Sequence, residues 1–161
     1  MEFRIPTKGN VKLEGLIRNI TENSELHQLW KSANMNAVDR SLINDHGEVH
    51  IRITSNAALR ILRLLVKGGV VPSVVKDYHL TPEDAEVIVV LAACLHDVGI
   101  AVHRHDHERY SLVFAYPKAR ELLTGIYSEP EITIITSEVL HAIVAHNASE
   151  TCLTLEAGVL K

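Results

Sequence analysis

Apolar residues recur along this chain at helical intervals, and polar clusters or glycines separate the runs. In the first forty-five positions the pattern Leu13, Leu16, Ile17 and Ile20 marks one of two or three short helices, interrupted by the polar stretch Thr21 to Ser24. From Glu48 to Lys67, Ile51, Ala58, Leu62 and Leu65 fall on one helical face, and Gly68-Gly69 ends the run as a C-cap would. Thr81-Pro82-Glu83-Asp84 reads as a helix start, with a capping hydroxyl, proline at the first helical position and acids at the positive end of the dipole. The VIVVLAACLHD that follows is apolar on every side, so this helix is expected to be buried nearly all round, with Gly99 ending or bending it. Asp106 is placed to cap a helix from His107 to about Leu123, stopped by Gly125. Ser128-Glu129-Pro130-Glu131 opens another, carrying Val139, Leu140, Ile143 and Val144 up to His146, and TLEAGVLK reads as the first turns of a last helix. No strand alternation of useful length, repeat or low-complexity segment appears.

Composition agrees with an all-α fold. At 161 residues the chain suits one domain with a real core, and only 4% of it is aromatic while aliphatic residues abound. We expect residues 1 to 45 to form a helical extension packed on a core domain spanning 46 to 161. A net charge of −4 supplies no basic face for a phosphate backbone, so nucleic acid is not an expected partner. The opening MEFRIPTKGN has no signal-like apolar core, and the apolar run Val87 to Leu95 is far shorter than the roughly 20 residues a spanning helix needs. The expectation is a soluble, cytoplasmic protein without a membrane partner. Cys94 and Cys152 are too few for a disulfide framework and read as reduced thiols, Cys94 as core filler.

The anomaly in the composition is ten histidines. His96-Asp97 lies at the end of the most apolar helix, where charged or titrating groups are seldom buried without partners. It reads either as a hydrogen-bonded core histidine beside a capping aspartate, or as two ligands offered together to a divalent ion. The neighbourhood favours the second reading. His46 and His50 share one helix face, His103 and His107 repeat that spacing after the pair, and one more helix brings His141 and His146. Helices that each carry a histidine near an end or on a buried face can gather ligands around one centre. His27, His79 and His105 are treated as background.

In this order, His50, then His96-Asp97 followed by Val98-Gly99, then histidines on the next helices, the chain resembles the HD superfamily of metal-dependent phosphohydrolases, named for its His-Asp pair. NDHGEVHIRITSNAALRILRLL is similar to that family's first ligand helix and LHDVGIAVHRHDHERYS to its HD helix, and the resemblance covers about Asn44 to Lys161. It implies an HD-domain-like helical bundle in which His50, His96 and Asp97 hold one divalent metal ion and His107 and His146 hold a second, with Asp97 as bridge. Mn, Fe, Mg, Zn and Ni all remain open. His96 and Asp97 become the catalytic pair, His46, His103 and His141 second-tier candidates, and Arg104, Arg109 and Lys118 the cations nearest for phosphate. The implied activity is hydrolysis of a phosphomonoester or phosphodiester in a nucleotide-like or other small phosphorylated substrate, with a homodimer as the assembly to consider. The alternative is a non-catalytic metal-binding or regulatory module of the same fold, and a third reading is a histidine-rich bundle with no specific site.

Two departures qualify the resemblance. The branch that cleaves cyclic dinucleotides has a lysine where this chain has Ile100, and its GYP motif is absent. The family also completes its first metal site with an aspartate beyond the last histidines, whereas no aspartate follows Asp106 here. The expectation is therefore a chain cut just before its final ligand, with a neighbouring subunit or Glu156 as alternative sources of the carboxylate.

Overall fold

The computed structural model describes residues 3–161, and among them there is no β-sheet; an isolated bridge between Thr124 and Tyr127 is the nearest approach to one. The fold is the expected all-α bundle. Its helices are α1 Val11–Glu22, α2 Ser24–Asn34, α3 Glu48–Lys67, α4 Ser73–Tyr78, α5 Pro82–Leu95, α6 His107–Leu123, α7 Glu129–Ala145 and α8 Leu155–Leu160. A π-helical turn, Met35–Arg40, continues α2, and a 3-10 turn, Val98–Ala101, follows α5.

The axis of the molecule is α5. Ala85 and every residue from Val87 to Leu95 are fully buried, as expected of a helix apolar on all sides, and α1, α3, α4, α7 and α8 pack around it. Leu13, Leu16 and Ile20 of α1 and Leu26 and Trp30 of α2 enter the same core as α5. Trp30 gives α5 a specific ending: its indole N–H donates to the Cys94 carbonyl at 2.8 Å, one of the carbonyls a helix C-terminus leaves without an internal partner. Burial pushes the Cys94 thiol up to about 12, which keeps it in the unreactive protonated form.

Most helix punctuation follows the sequence. Thr81 and Asp84 form a capping box at the start of α5, and Ser128 and Glu131 form one at the start of α7. Gly69 and Gly125 take the left-handed conformations that close α3 and α6. Asp106 is a correction. Its backbone is left-handed, with φ 55°, and its side chain makes no cap bond but pairs with His105 at 3.3 Å. A residue with helix-incompatible φ cannot direct its carboxylate back over the first turn, so α6 starts from a tight turn instead.

Asp84 has a second role that ties α5 to its neighbours. It is fully buried and accepts from Lys12 at 2.8 Å, from the Tyr127 hydroxyl at 2.7 Å and from both groups of Thr81. Burial alone would raise this carboxyl, but the bonds from Lys12, Tyr127 and Thr81 outweigh it and leave it below its ordinary value of 3.8. A depressed carboxyl contributes stability that is present above 3.8 and lost as pH falls through its folded-state value. Asp84→Ala is therefore expected to lower stability by about 2 kcal/mol at neutral pH. Urea titrations followed by Trp30 fluorescence should show the gap between wild type and variant closing towards pH 3.

Candidate metal centre

Four helix ends meet at one place. His50 lies in the first turn of α3, His96 and Asp97 leave the C-terminus of α5, His107 starts α6 and His146 follows α7. The two N-termini and two C-termini largely cancel as dipoles, so the Asp97 carboxylate supplies the negative charge at the centre.

Each oxygen of that carboxylate serves a different pair of imidazoles. Oδ2 lies 3.2 Å from His50 Nε2 and 3.0 Å from His96 Nε2. Oδ1 lies 3.0 Å from His107 Nε2 and 3.8 Å from His146 Nε2. The paired nitrogens are also close, 3.5 Å between His50 and His96 and 3.3 Å between His107 and His146. Two groups thus have the size and chemistry to hold a metal ion, His50, His96 and Asp97 in one and Asp97, His107 and His146 in the other, and Asp97 belongs to both. His96, Asp97 and His107 are buried, while the side chains of His50 and His146 are 31% and 15% exposed, so the centre opens to solvent past those two rings.

The far sides of the rings determine what the near sides can do. His96 Nδ1 faces the Ala93 carbonyl at 2.8 Å, and His146 Nδ1 faces the Ile143 carbonyl. Both contacts require a proton on Nδ1, which leaves Nε2 as a lone pair aimed at Asp97 unless the ring is cationic. Lone pairs facing a carboxylate and one another at 3.0 to 3.8 Å repel unless a positive species lies between them. That species is a proton or a metal ion, and oxygen and imidazole ligands with backbone-anchored rings are the donor set divalent metals take. His107 holds both options open. Its Nδ1 lies 3.1 Å from the Arg104 carbonyl, which needs a proton there, and 2.8 Å from the Arg104 guanidinium, which needs a lone pair. Only one of the two contacts is a hydrogen bond at a time; with the proton on Nδ1, Nε2 is free to ligate.

Proton affinities follow the same logic. Burial works to raise the Asp97 carboxyl, but His96, His107 and His50 hold it well below the usual carboxylate range. His96 is disfavoured as a cation by burial, yet Asp97 beside it raises its pKa above 6.5. His146 is pushed down to about 4 by burial, with the charge on His96 adding to the effect, so it is neutral and ready to ligate at neutral pH.

Local structure explains how the pair is placed. The Ser111 hydroxyl donates to the His96 carbonyl at 2.7 Å and accepts from the Gly99 N–H at 2.9 Å, clamping both ends of the turn that carries Asp97. Gly99 is required by proximity: a Cβ there would stand 2.1 Å from the His107 carbonyl oxygen and 2.3 Å from the Ser111 nitrogen. Asn36 donates to the Ile100 and Ala101 carbonyls at 2.8 and 2.9 Å, and Asp45 accepts from the His50 N–H at 3.0 Å in place of a cap from Gly47. Glu108, largely buried, accepts from Asn147 at 2.9 Å and ties the start of α6 to the end of α7. The sequence pattern missed Ser111, Glu108, Asp45 and Asn36. For Ser111 a signal existed, since it lies one turn beyond His107 on the same helix face.

The remaining candidates fall outside the cluster. His46 stacks near His50, with ring centres 5.0 Å apart, and bonds the Asn44 carbonyl, so it neighbours the centre without belonging to it. His103 is exposed and engaged with His105, and His141 accepts from the Leu153 N–H at 3.0 Å. Arg104 contacts His107, whereas Arg109 is exposed beside Glu150. Lys118 is a correction. It lies eleven residues along α6 from His107, about 16 Å on a helix axis, and is buried against Glu25 and Glu121, which excludes it from phosphate at this centre. Glu156 is another. It is fully buried and accepts from the Val74 N–H at 3.1 Å, capping α4 rather than joining the histidines.

No family model matches the chain, and no solved structure matches it. Over 141 residues it is 40% identical to Uncharacterized protein MJ1020 of Methanocaldococcus jannaschii, an alignment covering 88% of this chain and 54% of that protein. The chain thus spans about half the length of the curated relative it matches. Among the described residues no helix is long and apolar enough to cross a membrane.

Proton and metal compete for His96, whose pKa Asp97 raises against the effect of burial, so metal affinity is expected to rise with pH, with proton release on binding. Calorimetric titration of manganese in two buffers of different ionisation enthalpy measures both, and a pH-independent affinity would contradict the assignment. Gly99→Ala is expected to displace α6 and weaken metal binding at least tenfold, with a stability loss of roughly 1–3 kcal/mol. Metal titration and urea unfolding of the same sample separate the two effects.

Proposed function

We propose that this chain is a metal-dependent phosphohydrolase of the HD type that acts on a small phosphorylated molecule. The observation that carries the reading is the division of labour on Asp97, whose two oxygens each face a separate pair of imidazoles. A carboxylate shared in this way is the arrangement by which two divalent ions are held side by side. His50 and His96 would hold one ion with Oδ2, and His107 and His146 the other with Oδ1. Ions so placed supply Lewis acidity towards phosphoryl oxygens and lower the pKa of water at the site.

The chain's own groups set the conditions for that chemistry. Ala93 and Ile143 carbonyls fix the His96 and His146 rings in orientation, and the clamp of Ser111 on the turn fixes Asp97. The partly exposed His50 and His146 side chains leave the centre open to a substrate, while the fully buried stretch of α5 closes it on the core side. Arg104, exposed beside His107, is the cation available to a bound phosphate.

A second reading, a metal-binding module without catalysis, is favoured by one observation. The two late carboxylates are engaged elsewhere, Glu156 at α4 and Glu150 with Arg109 at 4.0 Å, so among the described residues neither completes the His50 side of the centre. Turnover decides between the two. With added manganese, the wild-type chain is expected to hydrolyse p-nitrophenyl phosphate or bis-p-nitrophenyl phosphate, and Asp97→Ala to lose at least about a hundredfold in rate, of the order seen when an essential electrostatic group is removed. Metal binding near two equivalents without turnover of either ester would establish the module instead.

A further inference from the structure

At the other end of α3 from the histidines, the molecule carries a basic pocket that the metal centre does not use. Lys67 is seventeen residues beyond His50, about 25 Å along the helix axis. A cavity of about 560 Å³ lies between this end of α3 and the segment around Lys8, within the range of small-molecule sites. Leu59 and Pro6 provide apolar wall, and Lys8, Arg60 and Lys67 surround it.

These three cations differ from most in the chain. Lys12, Lys118 and Arg120 are paired with carboxylates, whereas Lys8, Arg60 and Lys67 have neither carboxylate nor hydrogen-bond partner among the described residues. Three unpaired positive charges around one concavity, in a chain of net charge −4, raise the local potential that an anion meets.

The pocket is also rigidly built. Arg63 forks onto Glu86 at 2.6 and 2.8 Å and donates to the Pro6 and Thr7 carbonyls at 2.6 and 3.2 Å, which fastens the Lys8 segment to α3. Lys8 itself is left-handed, with φ 51°, immediately before Gly9 at φ 82°. A lysine in that region is uncommon, and strained backbone of this kind clusters at ligand clamps.

We infer that this pocket binds a multiply phosphorylated small molecule, with Lys8, Arg60 and Lys67 on its phosphates and its apolar body against Leu59 and Pro6. Three separated cations suit a polyphosphate, which carries several charges along its length, better than a single carboxylate. A phosphorylated lipid headgroup has the same chemistry, so the test includes both sources.

The intact chain is titrated by calorimetry in EDTA with ATP, with inorganic tripolyphosphate and, separately, with phosphatidylcholine vesicles containing phosphatidylinositol bisphosphate. EDTA leaves the histidine cluster without metal, so the result does not depend on the phosphohydrolase reading. The expected result is saturable one-to-one binding of ATP and tripolyphosphate, weakened by salt and by about tenfold in the Arg60→Ala, Lys67→Ala double variant. Lys8→Ala should weaken it in the same direction, Arg60→Lys with Lys67→Arg should restore it, and Lys76→Ala should leave it unchanged. All the altered side chains in the pocket are exposed, and helical circular dichroism verifies that each variant is folded. Absence of saturable binding, equal binding by the double variant, or binding to vesicles alone would overturn the inference.

Discussion

The site rests on one constraint, that a carboxylate is held out of water at the end of a fully apolar helix. A buried charge of this kind persists only where positive or hydrogen-bonding groups surround it. Here two imidazoles face each oxygen of Asp97, and each imidazole lies at the end of a helix that packs against α5 or, for Asp97's own neighbour His96, ends α5 itself. The fold and the centre are therefore one problem: the core brings α3, α5, α6 and α7 to a common end, and the charge there determines which side chains those ends carry.

The turn after α5 shows how little freedom this arrangement leaves. Gly99 lets the backbone of α6 approach to a distance no side chain would allow, and Ser111 uses that proximity to bridge the His96 carbonyl and the Gly99 N–H. A single hydroxyl thereby fixes the direction of Asp97 and the register of His107 together. Asn36 holds the carbonyls at the far side of the same turn, which couples the segment before α3 to the centre without contributing a ligand.

What the sequence made legible divides along physical lines. Helix existence and type were readable because α3 and α5 have strong apolar patterns, and caps such as Thr81–Asp84 and Ser128–Glu131 are local chemistry between residues three apart. His50, His96, Asp97, His107 and His146 were readable as a set only through a family resemblance; spacing alone could not separate His107 from His103, or His146 from His141. The structure separates them by which side of a helix end faces Asp97. Asp106 misled because capping depends on φ as well as residue type, and Lys118 because nearness in sequence to His107 says nothing about eleven residues of helical rise. Asn36 acts through the backbone carbonyls of Ile100 and Ala101, distant in sequence, which no local pattern reveals, whereas Ser111 at least shares a helix face with His107.

The proton inventory of the cluster connects stability to function. His96 has a raised pKa and Asp97 a lowered one because each stabilises the other's charge, while His146, farther from the carboxylate and beside a charged neighbour, stays neutral. His96 contributes stability through its proton below 6.5, lost as pH rises through its folded-state value, and Asp97 contributes above 3.8. Between these limits a proton holds the helix ends together. Above them the same ends require a different cation, and a divalent ion that binds only the folded arrangement restores the lost stability in proportion to its own affinity. An imidazole cluster around one buried carboxylate is thus stabilised by protons and has the donor set that could hold a metal ion in their place.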